Sequence, residues 1–515
     1  MKPTGDAGVP GTWLKNIVGT ARLAGAGSSL RARFVRGAVW SLIGGIIAQS
    51  LGLASAVLTA RLLGKEGFGQ LGMIQSTVGM FGVMAGFGLG LTATKYVAEL
   101  RVVDPDSAGR IIGLSSAFAA TSGALVAGAL SLFAPLLASR TMNAPALAGE
   151  LRLGALLLAL NAISGAQVGA LSGFEAFKTI AKANLARGLL SFPLAVAGVM
   201  LWHLPGAVIG MVLTSAIGCL INHFALRGQC RDAGVRIRYG GNMAEWRVLW
   251  QFSFPALLTS AVGVAGTWVA GALLVNQPQG YSEMGVFNAA NHWRALLTFL
   301  PTTNAAAALP ILASVLTGDK STTDHPSVEA YHLLNAALIW GVAVPIMLLA
   351  PWIMSLYGPG FEDRSLVMIM LVGGVAIGML GNPMGTIIQA RGLMWIGLGC
   401  NSTWSVLLCV VSLFTVGRWG GVGLAVAYVV AYAVVMVGLA LTLKSLVVIS
   451  AQFTRTTLWS GLTFALLLGL NCIPGTSLAG RALIAALAVL LFYFGLTKAA
   501  RQNIPRLIRG IAAGR

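Results

Sequence analysis

Asn288, Asn291, His292 and Arg294 fall within two turns of one apolar stretch. At 3.6 residues per turn, Asn291 and Arg294 stand i,i+3 on one helical face. Asn288 and His292 stand i,i+4 on a neighbouring face. An arginine inside a membrane-spanning helix is costly. Such residues usually face a cavity or a water-filled path and mark where a polar cargo passes. Were the helix to begin later in the chain, Arg294 would instead lie at the water interface.

What decides between these placements is the register of the helix, and the register rests on the whole chain. Of its 515 residues 57% are hydrophobic and only 10% charged, with a mean hydropathy of +0.82. Soluble domains carry about 25% charged residues, so lipid must be the solvent for most of this chain. Fourteen stretches are long and apolar enough to span: 37–59, 70–94, 111–134, 151–172, 185–202, 206–226, 252–275, 283–309, 333–356, 365–388, 394–416, 420–443, 457–473 and 481–498. The loops between them are short, which leaves no soluble domain of any size. The fold class is an all-α integral membrane protein of about 14 helices.

The formal charge of +19 sits in loops rather than on one polar face, which argues against nucleic acid and for orientation in the membrane. With a cytoplasmic N-terminus, 26 of the 34 basic residues fall on inside segments and 7 on outside turns, with Arg294 in neither set. Both termini are therefore expected in the cytoplasm. The first apolar run exceeds the length of a secretory signal. Residues 1–36 read as a basic tail, either mobile or forming an interfacial helix around Trp13, Leu14, Ile17, Val18 and Ala21. The five cysteines form no CxxC pair, and the sequence calls for neither a metal nor a cofactor.

A repeat fixes the register. Gly67-Phe68-Gly69-Gln70-Leu71-Gly72-Met73-Ile74-Gln75 aligns with Gly280-Tyr281-Ser282-Glu283-Met284-Gly285-Val286-Phe287-Asn288 at a constant offset of 213. Each copy follows an odd-numbered span and opens an even-numbered one. Spans 1–6 and 7–12 thus read as two parallel copies of a six-helix unit, an arrangement that builds transporters with a site between the halves. The expected division is a tail at 1–36, a first lobe at 37–226, a cytoplasmic linker at 227–251 and a second lobe at 252–443. Two added spans occupy 457–498, and a basic tail follows at 499–515.

In this register Arg294 aligns with Phe81, in the middle of span 2, about 16 Å along the helix from Glu283. Gln75 and Asn304 share the span 2 and span 8 setting and join the cavity candidates. Arg61, in the charged turn before the first repeat copy, either snorkels outward or points inward. Lys65 and Glu66 read as a solvated hairpin. Carboxylates inside the spans are nearly missing: Glu66, Glu283, Glu362 and Asp363 all sit near outer ends.

The stretches "LTARLLGKEGFGQLG", "GLGLTATKYVAELR", "FSFPALLTSAVGV" and "GYSEMGVFNAANHW…LPTTNAAAALPIL" resemble the bacterial polysaccharide and O-antigen flippases (Wzx-type) of the multidrug/oligosaccharidyl-lipid/polysaccharide exporter superfamily. The resemblance covers roughly residues 33 to 500. It implies two six-helix lobes in a V and a C-terminal helical hairpin. It implies alternating access, and a cargo of undecaprenyl-diphosphate-linked oligosaccharide moved from the cytoplasmic to the periplasmic leaflet of the inner membrane. It also implies a monomer, with a polysaccharide polymerase or export machinery as partners. Cationic cavity residues would hold the diphosphate or acidic sugars, a role for Arg294 and Arg61. A bidentate guanidinium suits phosphate oxygens. One departure is Trp268-Val269-Ala270-Gly271-Ala272, where relatives often carry an acid near the outer end of span 7.

Competing classes remain open. A lipid II flippase is one. A small-molecule or multidrug antiporter of the same superfamily is another, although it would want an intramembrane carboxylate. A membrane polymerase or glycosyltransferase would want catalytic groups in large loops, where this chain offers only the isolated His325 and His332. A non-transporting scaffold is the last.

Overall fold

The computed structural model describes residues 30–86, 88–239, 243–316, 326–391, 393–446 and 451–471. The described residues are nearly all helical and contain no strand. In chain order the helices are α1 (Leu30–Gly86), α2 (Leu89–Leu100), α3 (Pro105–Leu136), α4 (Ala148–Gly173) and α5 (Phe177–Asp232). There follow α6 (Met243–Val275), α7 (Gly280–Leu316), α8 (Pro326–Leu348), α9 (Ala350–Ser355), α10 (Ser365–Met379), α11 (Asn382–Ala390), α12 (Met394–Leu446) and α13 (Ala451–Asn471). Among the described residues seven helical segments are long and apolar enough to cross a membrane, several of them bent and long enough for two passes. The first thirteen apolar stretches all fall on helices. The stretch 481–498, the C-terminal tail and Cys472 lie outside the described residues, as does the tail up to residue 29.

Three helices reverse direction without a conventional loop. α1 bends at Gly64, α5 at Trp202–His203 and α12 at Gly420. At Gly64 φ is +69°, a left-handed conformation that costs glycine little and a β-branched residue much. This is how "ARLLGKEGFGQLG" turns so tightly. The spans are also less continuous than hydropathy suggests. The second breaks at Gly88, the ninth at Leu349 and the tenth at Leu380–Gly381.

Helices α1 to α5 pack chiefly on one another. Helices α6, α10 and α12 likewise pack in one group, while α7 packs on α10 and α11 but most extensively on α1, which also touches α6 and so joins the two groups. Large apolar side chains such as Leu125, Leu132, Leu213, Phe224, Leu413 and Phe414 are left exposed on the outside. Faces of this kind are stable against lipid tails and not against water.

The two repeat copies meet face to face. A Cβ on Gly69 would collide with the Tyr281 carbonyl oxygen, and one on Gly285 with the Lys65 carbonyl oxygen. One on Gly72 would lie 2.8 Å from the Asn288 amide. Backbone touches backbone at the two crossings, so glycine is required there by space rather than by conformation. Around this contact Tyr281 Oη donates to Met142 O at 2.7 Å, Asn276 Nδ2 to Thr141 O at 2.7 Å, and Arg61 Nε to Leu356 O at 2.6 Å. Trp268 Nε1 donates to Thr77 Oγ1 at 2.9 Å. The Gly64 end of the bundle is thereby stitched shut. Glu283 is fixed beside it, accepting from the Gly421 N–H at 3.0 Å and pairing with Arg364 at 3.2 Å.

At the far end Arg101 pairs with Glu175. The 235–239 segment lies along the start of α3: Gly109 accepts a hydrogen bond from the Arg238 N–H at 3.2 Å, and Gly113 abuts the Arg238 carbonyl. α3 begins at Asp104, whose carboxylate accepts from the Ser107 N–H at 3.0 Å and from the Ser107 hydroxyl. Those bonds hold the Asp104 carboxyl below its usual 3.8. A depressed carboxylate contributes while ionised, above the ordinary value, and the contribution is lost as pH falls through the lowered one. Limited proteolysis of the 101–105 turn is therefore expected to be unchanged from pH 8 to pH 5 in the native chain, and faster throughout that range in Asp104→Ala. Equal cleavage rates would show that the cap does not hold the turn.

Candidate functional site

Arg294 lies 14 residues into α7, about 21 Å from Gly280 along the helix axis. Helix α7 therefore begins where the repeat puts it, and Arg294 is an interior residue. Its Nε donates to Asn291 Oδ1 at 2.6 Å, which fixes the guanidinium on the face that the i,i+3 spacing defined. No carboxylate pairs with it among the described residues. Helix α12 packs on α7, where Phe287, two turns before Arg294, lies 5.6 Å from Tyr428 of α12 between ring centroids; Tyr432 stands beside Tyr428 at 6.3 Å. Trp404, also on α12, closes the group, with ring centroids 5.7 Å from Tyr428 and 5.2 Å from Tyr432. A half-buried guanidinium, oriented by an amide and without a carboxylate partner among the described residues, retains most of its donors for an anion.

The other sequence candidates do not all converge on Arg294. Asn288 and His292 face α1 instead. Asn288 Nδ2 approaches the Phe68 carbonyl at 3.5 Å, and the His292 ring stacks on Phe68 at 6.1 Å between centroids. They belong to the junction between the repeat copies. Asn304 lies further along α7, with its amide NH2 buried and without a hydrogen-bond partner. Arg61 is exposed and tied to the Leu356 carbonyl at the stitched end, so it stands apart from Arg294. Lys65, read as a solvated hairpin residue, is half-buried, with its ammonium against Gly360.

Gln75 lines a separate cavity of about 400 Å³ between α1, α4 and α5. Gly79, Gly82, Asn161, Met211 and Ser215 share that lining. Its polar groups are amides and a hydroxyl, with no charge, and Gln75 Nε2 reaches Met211 Sδ at 3.4 Å. The first helical group thus holds a neutral cavity, whereas the second carries the cation Arg294 on α7 and an aromatic group on α12.

Sequence reasoning passed over Arg187, counting it with the basic residues of an inside loop. It sits ten residues into α5, with Nη2 donating to Asn184 Oδ1 at 3.2 Å and its stem packed on Gly218, where a Cβ would lie 2.8 Å from Arg187 Cδ. Asn184-x-x-Arg187 repeats the pattern of Asn291-x-x-Arg294. That spacing was the available signal. No group of three or more His, Cys, Asp or Glu side chains that could hold a metal occurs among the described residues.

The fold is shared with solved transporters. The lipid II flippase MurJ in an inward closed conformation matches with a TM-score of 0.67 at 14% identity, covering 88% of this chain and 98% of that one. A multidrug resistance MATE family transporter of the MOP superfamily in an inward-facing conformation matches at 0.65 and 17% identity, covering 79% and 98%. In sequence, the EPS I polysaccharide export inner membrane protein EpsE of Ralstonia nicotianae is 24% identical over 203 residues. That match covers 39% of this chain and 46% of the relative, so the chain spans about half the length of the curated relatives it matches. Residues 34–316, more than half of the chain, match the family model described as polysaccharide biosynthesis protein. With that match and an all-helical, MurJ- and MATE-like membrane fold, the chain belongs to the polysaccharide biosynthesis protein family.

Proposed function

We propose that this protein is a flippase. It translocates undecaprenyl-diphosphate-linked oligosaccharide from the cytoplasmic to the periplasmic leaflet of the bacterial inner membrane, for polysaccharide export. The observation that carries the reading is Arg294, a cation about 21 Å along α7 with an orienting amide and, among the described residues, no carboxylate partner. The diphosphate is the anion it would take, by a bidentate fork. The apolar lipid tail needs no protein site and can remain in the bilayer. Family membership and the export role named for the EpsE relatives favour transport over catalysis, and export over cell-wall cargo.

In this proposal residues 37–226 and 252–443 are the two lobes of a monomer, 227–251 is a cytoplasmic linker and both termini are cytoplasmic. The stitched Gly64 end is then periplasmic, and the structure is a state closed on that side. Asn291 orients the arginine. His292 and Asn288 sit at the lobe junction, and Gln75, Asn304 and Arg61 have secondary roles.

Deletion of the protein in its host is expected to leave lipid-linked oligosaccharide accumulating in the cytoplasmic leaflet, with export restored by the wild-type chain. Normal glycan export after deletion, in a strain shown to have no second flippase, would remove the reading and move it to small-molecule export.

A further inference from the structure

We infer that the aromatic group beside Arg294, formed by Trp404, Tyr428 and Tyr432, is a saccharide-binding subsite that takes the first sugars attached to the diphosphate. This rests on the flippase reading and adds to it a place for the glycan.

The chemistry is written in the side chains. The face of an indole or phenol ring carries partial negative charge and attracts the polarised C–H groups of one face of a pyranose. The hydroxyls at the rim of the sugar need donors and acceptors. Here three rings lie together, with centroids 5.2 Å (Trp404–Tyr432), 5.7 Å (Trp404–Tyr428) and 6.3 Å (Tyr428–Tyr432) apart. Tyr428 is buried, whereas Trp404, Tyr432, Arg294 and Asn291 are each only half-buried, which leaves them a surface that a ligand can meet. Phe287 backs Tyr428 at 5.6 Å.

A hydrophobic core alone does not account for this choice of residues. The Trp404 indole nitrogen is buried and has no hydrogen-bond partner. An indole N–H in that position costs free energy that a phenylalanine would avoid. Tyr432 is held by a purpose-shaped neighbour: its ring lies on Gly378, where any Cβ would collide with it. Helix α12 packs on α7, and Phe287, two turns before Arg294 on α7, meets Tyr428, so the rings stand against the helix that carries Arg294 and Asn291. A diphosphate on Arg294 would set the first sugars beside these rings, because the glycosidic linkage joins the two directly.

The test uses the full chain in nanodiscs and two probes: lipid-linked oligosaccharide extracted from the host's deletion strain, and undecaprenyl diphosphate without sugar. Wild type is expected to bind the glycosylated lipid about tenfold more tightly than the bare one. Trp404→Leu should abolish that preference while leaving affinity for undecaprenyl diphosphate within about twofold. Trp404→Phe, which keeps a ring but loses the N–H, should retain part of the preference, as should Tyr432→Phe. Phenylalanine at 404 also guards against a leucine variant that fails to fold. A wild type that binds both probes equally would overturn the subsite, as would Trp404→Leu and Trp404→Phe that both keep the full preference. A wild type that binds neither probe would instead overturn the flippase reading beneath it.

Discussion

On the flippase proposal, Arg294→Ala is expected to lower translocation of lipid-linked glycan by about 10- to 100-fold at unchanged protein level, and Arg294→Lys to recover part of it. The range follows from the loss of charge-assisted hydrogen bonds to an ionised group, each about 1.5–3 kcal/mol, at 1.4 kcal/mol per tenfold. Lysine restores the charge but presents a point ammonium on a flexible stem, and it cannot form the planar fork. Asn291→Ala should show a smaller loss, because it removes the Oδ1 that orients the guanidinium at 2.6 Å and leaves the cation in place. The measurement is leaflet-resolved lipid-linked oligosaccharide in the deletion host complemented by each variant. Full export by Arg294→Ala would show that the charge at this depth is not part of the pathway. A loss of export with lysine as severe as with alanine would show that geometry outweighs charge at this position.

Much of the architecture was legible because a helix in lipid must satisfy its own backbone, so apolar runs and helices coincide. Thirteen of the expected stretches fall on helices, and seven helical segments among the described residues are long and apolar enough to cross a membrane. The repeat supplied what hydropathy could not, a helix start near Glu283; α7 begins one turn earlier, at Gly280, so Arg294 is well inside the helix. Interruptions at Gly88, Leu349 and Leu380–Gly381 were not legible from hydropathy, which runs across them; Pro351 and Pro383, at the starts of α9 and α11, were the signals for the last two. The site was legible only along one helix. Asn291 and Arg294 could be paired by an i,i+3 rule. Trp404, Tyr428 and Tyr432 stand more than 100 residues away, and only the packing of α12 on α7 brings them near. Arg187 was missed for a different reason. Basic residues at inner ends were being counted for orientation, and Lys178 and Lys182 beside it made it look like one more of them.

The largest conformational effect is expected at the contact between the repeat copies. Gly285→Ala should lower the population of the state closed at the Gly64 end by about 5- to 150-fold. In that state the Gly285 Cα faces the Lys65 carbonyl so closely that an added methyl cannot be accommodated without shifting α7 away from α1. Backbone cannot give way as a flexible side chain does, and overpacking of this kind costs about 1–3 kcal/mol. The cost falls only where the two copies touch. A conformation in which they separate would hold the alanine without strain, and alanine is the better helix former by about 1 kcal/mol. A penalty confined to one of two states is a shift of their equilibrium rather than a loss of folding. The hydrogen bonds from Tyr281, Asn276 and Arg61 across the same contact would be broken together. A cysteine pair placed at Thr141 and Asn276 in a chain freed of its native cysteines reads the closed state directly, because the native Asn276 amide reaches the Thr141 carbonyl at 2.7 Å. Oxidative cross-linking should be efficient with Gly285 and should fall sharply with Gly285→Ala, and Gly69→Ala should behave alike. Thermal stability should change little in either variant. Undiminished cross-linking would mean that the contact bends to take a methyl and does not control closure. A large fall in melting temperature with either alanine would mean that the contact holds the fold together, and that the two repeat copies do not separate during transport.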